Sequence, residues 1–195
     1  NYDLPLRYII MGGEKLHETR QTNIRVINQY GPTEFTVCSA YHVIDQNRKY
    51  TNIPIGRPVP NSLSVVLSTN GRLSPRGAIG ELCLIGRQMA RGYWNQPELT
   101  TDKFTPCPFI PDKMMYHTGD LVRWNNNGEL EFYGRIDNQV KFHGFRIELE
   151  EIESKLCSYP GITSAVTIVL NHHGLQSLAG YYCATTPIDP NAIVC

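Results

Sequence analysis

The residues best suited to chemistry begin at Asn28-Gln29-Tyr30-Gly31-Pro32-Thr33-Glu34, where a short apolar run breaks at a Gly-Pro turn. One loop there offers an aromatic face, a hydroxyl and a carboxylate, which suit stacking on a base, touching a phosphate and holding Mg²⁺. A polar Gly-Pro turn with no ligand accounts for the same residues equally well. A second stretch is Tyr116-His117-Thr118-Gly119-Asp120-Leu121. An ionised Asp accepts hydrogen bonds from two vicinal hydroxyls, as a ribose presents them, although taken singly Asp120 reads as a turn carboxylate. A third runs from Phe132 to Lys141, where Arg135 and Lys141 have the charge to meet phosphate or ribose, or simply to solvate a strand. The stretch from Gly80-Glu81-Leu82 to Gly92-Tyr93-Trp94 reads as β-hairpin framework.

These residues need elements to position them. Tyr8-Ile9-Ile10-Met11 before Gly12-Gly13 reads as a buried strand, Glu14 to Thr22 as a short helix, and Ile24 to Asn28 as a second strand. Strand, helix and strand with abrupt Gly/Pro stops predict a parallel βαβ unit, whose strand-end loops are where ligands bind. Between Thr36 and Tyr133, short β-type runs alternate with turns such as Thr69-Asn70-Gly71 and Pro75-Arg76-Gly77, predicting an antiparallel barrel or sandwich. No glycine there is followed by Lys-Ser/Thr and a helix, so no Walker-type phosphate loop is present. From Asn138 a third region begins. Leu149, Ile152 and Leu156 recur at helical spacing behind an acidic first turn. Ser164 to Leu170 and Leu178 to Ala184 form a hairpin across Asn171-His172-His173-Gly174, a solvated turn rather than a metal site. Asp189-Pro190 reads as a helix start only five residues before Cys195, and the beginning is equally abrupt, so the chain is expected to be a fragment.

Composition narrows the function classes. The 195 residues carry 18 Lys+Arg against 18 Asp+Glu, which gives no basic or acidic surplus pointing to nucleic acid or a membrane surface. No apolar run is long enough to span a bilayer. The six cysteines are scattered rather than paired, as expected of free thiols in a reducing compartment, hence the cytoplasm.

Taken together and in order, residues 28–34, 55–58 (Ile-Gly-Arg-Pro), 80–94, 116–123 and 134–153 (Gly-Arg-Ile-Asp-Asn-Gln-Val-Lys-Phe-His-Gly-Phe-Arg-Ile-Glu-Leu-Glu-Glu-Ile-Glu) resemble successive core motifs of the adenylate-forming superfamily. Gln139-Val140-Lys141 and Arg146 to Leu149 resemble the adenylation domains of non-ribosomal peptide synthetases more than acyl-CoA ligases or luciferases. The resemblance implies an α/β and α+β chain. Residues 1–137 would be the C-terminal part of a large domain, with a βαβ end (1–35) and an antiparallel β-barrel-like part (36–137). Residues 138–195 would begin a small α+β domain.

It also implies roles. Tyr30 would stack on adenine with Asn28 at its edge and Gly31 beside it. Thr33 would contact the α-phosphate, Glu34 would hold Mg²⁺, and Asp120 would bind both ribose hydroxyls with Arg135. Phe132 stands where the family often has a tyrosine near the nucleotide, which Gly13 and Glu14 would border. Asp137 resembles the family's hinge, and Lys141 and Gly144 its loop for thioester formation. Ile10, Gly12, Gln29, Val37 and Cys38 would line part of an amino-acid pocket. The implied chemistry is ATP-dependent formation of aminoacyl-AMP, then transfer to the phosphopantetheine thiol of a peptidyl-carrier domain, among neighbouring synthetase domains of secondary-metabolite biosynthesis. His143 replaces a common arginine and Glu150 a common glycine. The family's Ser/Thr/Gly phosphate loop and its C-terminal lysine are absent, which implies that these residues alone are catalytically inert. A free-standing acyl- or aryl-CoA ligase, and an inert structural or partner-binding fragment, are the alternatives.

Overall fold

A computed structural model describes residues 6–19, 22–142, 145–172, 175–189 and 193. They form two compact units, Asn1–Ile136 and Asp137–Cys195.

In the first unit, β1 (Tyr8–Gly12) and β2 (Arg25–Tyr30) pair in parallel, with Gly12 opposite Gln29. The parallel pair matches the sequence expectation, but the helix expected over 14–22 is not found among its described residues, 14–19 and 22. Leu16 is the one aliphatic side chain of that segment, and it packs against Val26, Ile44 and Ile53. A single anchor supplies no helical stripe, and so short a helix gains too little from propensity alone. β3 (Ala40–Val43) runs antiparallel to β2, and β4 (Arg57–Pro58) antiparallel to β3.

The antiparallel region is a five-stranded sheet of β5 (Ser62–Leu67), β6 (Gly80–Gly86), β7 (Phe104–Pro106), β8 (Met114–Trp124) and β9 (Leu130–Arg135). The first half of β8 pairs with β7 and the second half with β9, while β6 lies along its other edge. Both faces of β6 are covered. Leu82 and Leu84 join Phe35, Tyr116, Val122 and Leu130 in one cluster, whereas Cys83 and Ile85 join Leu67, Cys107 and Met115 in another. Strict alternation along the pleat makes this division. A bridge between Gly56 and Leu130 links the two sheets. Gly56 sits at φ 93°, where a Cβ would collide with the Tyr41 carbonyl, so only glycine fits there.

Helix α1 (Pro97–Lys103) was not anticipated. Its signals were Pro97 at the first helical position, Glu98 in the first turn and Lys103 in the last. None of its residues is buried, so no apolar stripe marks it in the sequence. Thr100 of α1 accepts the Tyr93 N–H at 2.9 Å and donates to the Gln96 carbonyl at 2.8 Å, which fixes the loop before the helix.

In the second unit, β10 (Gln139–Phe142) and β11 (Phe145–Glu148) form a hairpin. Helix α2 (Leu149–Cys157) follows where the spacing of Leu149, Ile152 and Leu156 predicts it. β12 (Ile162–His172) and β13 (Leu175–Ala184) form a second hairpin, with β12 longer at both ends and β13 longer at its start than the apolar runs suggest. Glu153 of α2 accepts the Thr167 N–H of β12 at 2.7 Å. No helix among the described residues is long and apolar enough to cross a membrane. His143, Gly144, His173 and Gly174 lie outside the described residues, as does most of the segment after Asp189.

Candidate functional site

The loop after β2 folds back on itself. A Cβ on Gly31 would lie 2.7 Å from the Cys38 nitrogen and collide with the Val37 carbonyl, so the close approach requires glycine. Thr33–Phe35 make a single 3-10 turn, anchored by Phe35, which is wholly buried in the core. Thr36 and Val37 follow in the left-handed region at φ 54° and 65°. A β-branched Val37 there is strained, and strain of this kind collects where a loop is held for a purpose. Glu34 is buried, and its Oε1 accepts the Tyr93 hydroxyl at 2.7 Å. Thr33, next to it, is exposed.

The register of β8 against β9 sets Asp120 directly opposite Arg135, so both side chains leave the same face of the sheet. Arg135 Nη1 donates to Asp120 Oδ1 at 2.6 Å, and the Tyr30 hydroxyl donates to Asp120 Oδ2. Burial, and after it the charge and hydrogen bond of Asp120, hold the Tyr30 phenol well above its usual range. It therefore stays a donor, and the carboxylate is buried with compensation from both sides. A carboxylate has about four lone-pair sites, so these two bonds do not exhaust what Asp120 can accept in principle. The backbone around it is braced. Asp120 N–H donates to Thr118 Oγ1 at 3.0 Å, Thr118 donates to the Leu82 carbonyl at 2.7 Å, and Gly119 N–H donates to Glu81 Oε1 at 3.1 Å.

Tyr30, Asp120 and Arg135 are thus brought together, with Glu34 and Thr33 on the loop that Tyr30 begins. The donor set fits a phosphorylated nucleoside with a hard cation: Glu34 offers oxygen to Mg²⁺, and Asp120 offers acceptors to a sugar diol.

The other singled-out residues divide. Asn28 is buried and donates to the Pro54 carbonyl at 2.8 Å, a bond that braces the sheet. Phe132 is half-buried against the core cluster, and Glu14 is exposed. Ile10 and Gly12 leave one face of β1, where a Cβ on Gly12 would lie 2.6 Å from the Gln29 carbonyl. Gln29 Nε2 donates to the Val37 carbonyl at 3.2 Å, and Cys38 follows Val37, its thiol pushed up by burial. Asp137 Oδ1 accepts the Gln139 N–H at 3.3 Å, and Lys141 pairs in register with Arg146, both within the second unit. Tyr93 is the site residue that sequence reasoning missed. It sits in a stretch read as framework, and nothing in its spacing points to Glu34.

A family model described as "AMP-binding enzyme" matches residues 1–94. Tyrocidine synthase 1 of Brevibacillus parabrevis is 44% identical over 169 residues, covering 86% of this chain and 16% of the relative. Bacitracin synthase 1 of Bacillus licheniformis is 45% identical over 189 residues, covering 96% of this chain and 4% of the relative. The chain therefore spans a small part of each. Among solved structures, an NRPS protein containing adenylation and PCP domains superposes with a TM-score of 0.83 at 28% identity, over 96% of this chain and 40% of that one. The adenylation domain AlmE of Vibrio cholerae, in complex with glycyl-adenosine-5'-phosphate, gives a TM-score of 0.83 at 31% identity, over 95% and 37%.

Proposed function

Since the chain belongs to the AMP-binding enzyme family, on its peptide-synthetase branch, we propose that it supplies part of the nucleotide site of an enzyme that activates an amino acid with ATP. The joining of Tyr30, Asp120 and Arg135 beside the Glu34 loop is the observation that carries this reading.

Asp120 accepts the ribose hydroxyls, with Arg135 holding the carboxylate in place. The Tyr30 ring lies under the adenine, Asn28, Gly31 and Phe132 border it, and Gly13 and Glu14 edge the phosphates. Thr33 donates to the α-phosphate. Glu34 holds Mg²⁺, which when bound neutralises phosphate charge. The amino-acid carboxylate attacks the α-phosphorus, pyrophosphate leaves, and aminoacyl-AMP forms. In-line phosphoryl chemistry of this sort needs positioning and charge stabilisation rather than a protein nucleophile. Ile10, Gly12, Gln29, Val37 and Cys38 form one wall of the amino-acid pocket.

In the second half-reaction the thiol of a carrier-domain phosphopantetheine attacks the acyl carbon, giving a thioester and releasing AMP. Asp137 acts as the hinge for that step, and Lys141, on β10, serves it. In this reading 1–137 belong to the large domain and 138–195 to the small one, with Asp137 at the junction where the second compact unit begins, inside a synthetase with further domains and in the cytoplasm. These residues by themselves are inert. The test is pyrophosphate exchange by the intact parent enzyme: Glu34→Ala lowers it at least about 100-fold, the usual scale for losing a group that stabilises transition-state charge. Undiminished exchange overturns the reading. Acyl transfer to free coenzyme A in place of a carrier thiol would replace it by a CoA ligase.

A further inference from the structure

Glu81, Cys83 and His117 stand apart from the nucleotide cluster and form a second constellation. Glu81 and Cys83 are two apart on β6, and Cys83 pairs in register with His117 on β8. His117 Nδ1 lies 3.0 Å from Glu81 Oε2 and 3.5 Å from Cys83 Sγ, and the three atoms fall within 4.8 Å of one another. A tetrahedral ion with ordinary Zn–N, Zn–O and Zn–S bonds sets its ligand atoms roughly 3.3–3.6 Å apart. The two separations from His117 are already close to that size.

The surroundings orient each group. His117 Nε2 lies 3.1 Å from Thr105 Oγ1, so a proton on Nε2 leaves the Nδ1 lone pair facing the other two ligands. The second oxygen of Glu81 accepts the Gly119 N–H at 3.1 Å, which fixes the carboxylate plane. Cys83 is fully buried, while the side chains of His117 and Glu81 are 24% and 22% exposed. An ion therefore has a way in past His117 and Glu81, and solvent can fill a fourth position.

We propose that Glu81 Oε2, Cys83 Sγ and His117 Nδ1 form a three-ligand site for a borderline divalent cation of the Zn²⁺ class. Sulfur and imidazole select such a cation over Mg²⁺, which demands oxygen. The Zn–S bond forms as the Cys83 thiol gives its proton to solvent. Because Glu81 also holds Gly119, the ion would be tied to the backbone that carries Asp120. The proposal does not depend on the adenylating function.

The 195-residue chain, stripped with a chelator, is titrated with Zn²⁺ by calorimetry and with Co²⁺ by absorption. The expected result is one equivalent bound, a tetrahedral Co²⁺ spectrum with a thiolate charge-transfer band, and no competition from Mg²⁺. Cys83→Ser removes that band, and His117→Gln and Glu81→Gln each weaken Zn²⁺ at least about tenfold. If Cys83→Ser does not fold by circular dichroism, His117→Gln, at a partly exposed position, decides. Binding that is absent, that survives His117→Gln unchanged, or that is lost instead in Cys157→Ser, Cys183→Ser or the double substitution of His172 and His173 by Asn overturns the proposal.

Discussion

Replacing Arg135 by alanine leaves the Asp120 carboxylate in place without its cation. The Arg135 and Asp120 side chains are 18% and 10% exposed, so the pair is mostly buried. Removing one partner of a buried pair costs about 3–5 kcal/mol. The Tyr30 hydroxyl still donates to Oδ2, which keeps the loss at the lower end, about 3 kcal/mol. Asp120→Asn takes this carboxylate from Arg135 instead, but a guanidinium on a flexible stem moves its head toward water, and the cost is about 2 kcal/mol. In the double variant both charges of the pair are removed. Its cost should be about 3 kcal/mol rather than the sum, a coupling of about 2 kcal/mol. Urea unfolding followed by tryptophan fluorescence measures this cleanly, because both tryptophans, Trp94 and Trp124, belong to the first unit. With a slope of about 2 kcal/mol/M, Arg135→Ala lowers the midpoint by about 1.5 M. Single effects that add to within about 0.5 kcal/mol would refute the coupling.

Three further outcomes follow from the same geometry. The Tyr30 phenol is raised in the folded chain above its ordinary 10.0, so its contribution to stability is complete below that pH and is lost as pH climbs through the folded value. The stability difference between the wild type and Tyr30→Phe should therefore shrink from about pH 9 to about pH 11, as read by urea midpoints at each pH. Gly56→Ala forces a Cβ into the Tyr41 carbonyl at φ 93° and should cost at least about 3 kcal/mol, whereas Gly71→Ala, at φ 72° in open space, should cost about 1 kcal/mol. Tyr93→Phe takes the hydroxyl from buried Glu34 and should cost about 1.5–3 kcal/mol in the same unfolding assay.

Much of this architecture was legible along the chain because local rules decide it. The apolar runs at Tyr8 and Ile24 end at glycine or proline, and those stops bound β1 and β2. Leu149, Ile152 and Leu156 carry the period of α2. Where packing rather than pattern decides, the sequence was silent or misleading. The segment from Glu14 to Thr22 is polar enough for a surface helix, yet Leu16 alone anchors it and no helix is found among its described residues. Helix α1 buries nothing, so no periodicity announces it. The motifs named Tyr30, Glu34, Asp120 and Arg135 as candidates, but only strand register shows that Asp120 faces Arg135. The same reason hid Tyr93 beside Glu34 and His117 beside Cys83, since partners 59 and 34 residues apart leave no spacing to read. Scattered cysteines argued against a metal centre on sequence grounds, and register is what brings Cys83 against an imidazole and a carboxylate.

The central claim is that Asp120, held by Tyr30 and Arg135, reads the sugar of a bound nucleotide. Pyrophosphate exchange by the intact parent enzyme with ATP and with 2'-deoxy-ATP measures this most directly, for the wild type and for Asp120→Asn. The wild type should favour ATP by at least about tenfold, the scale of one hydrogen bond to a charged group, and that preference should collapse toward unity in the variant. A wild type indifferent to the missing hydroxyl, or a variant that keeps the full preference, would contradict the account.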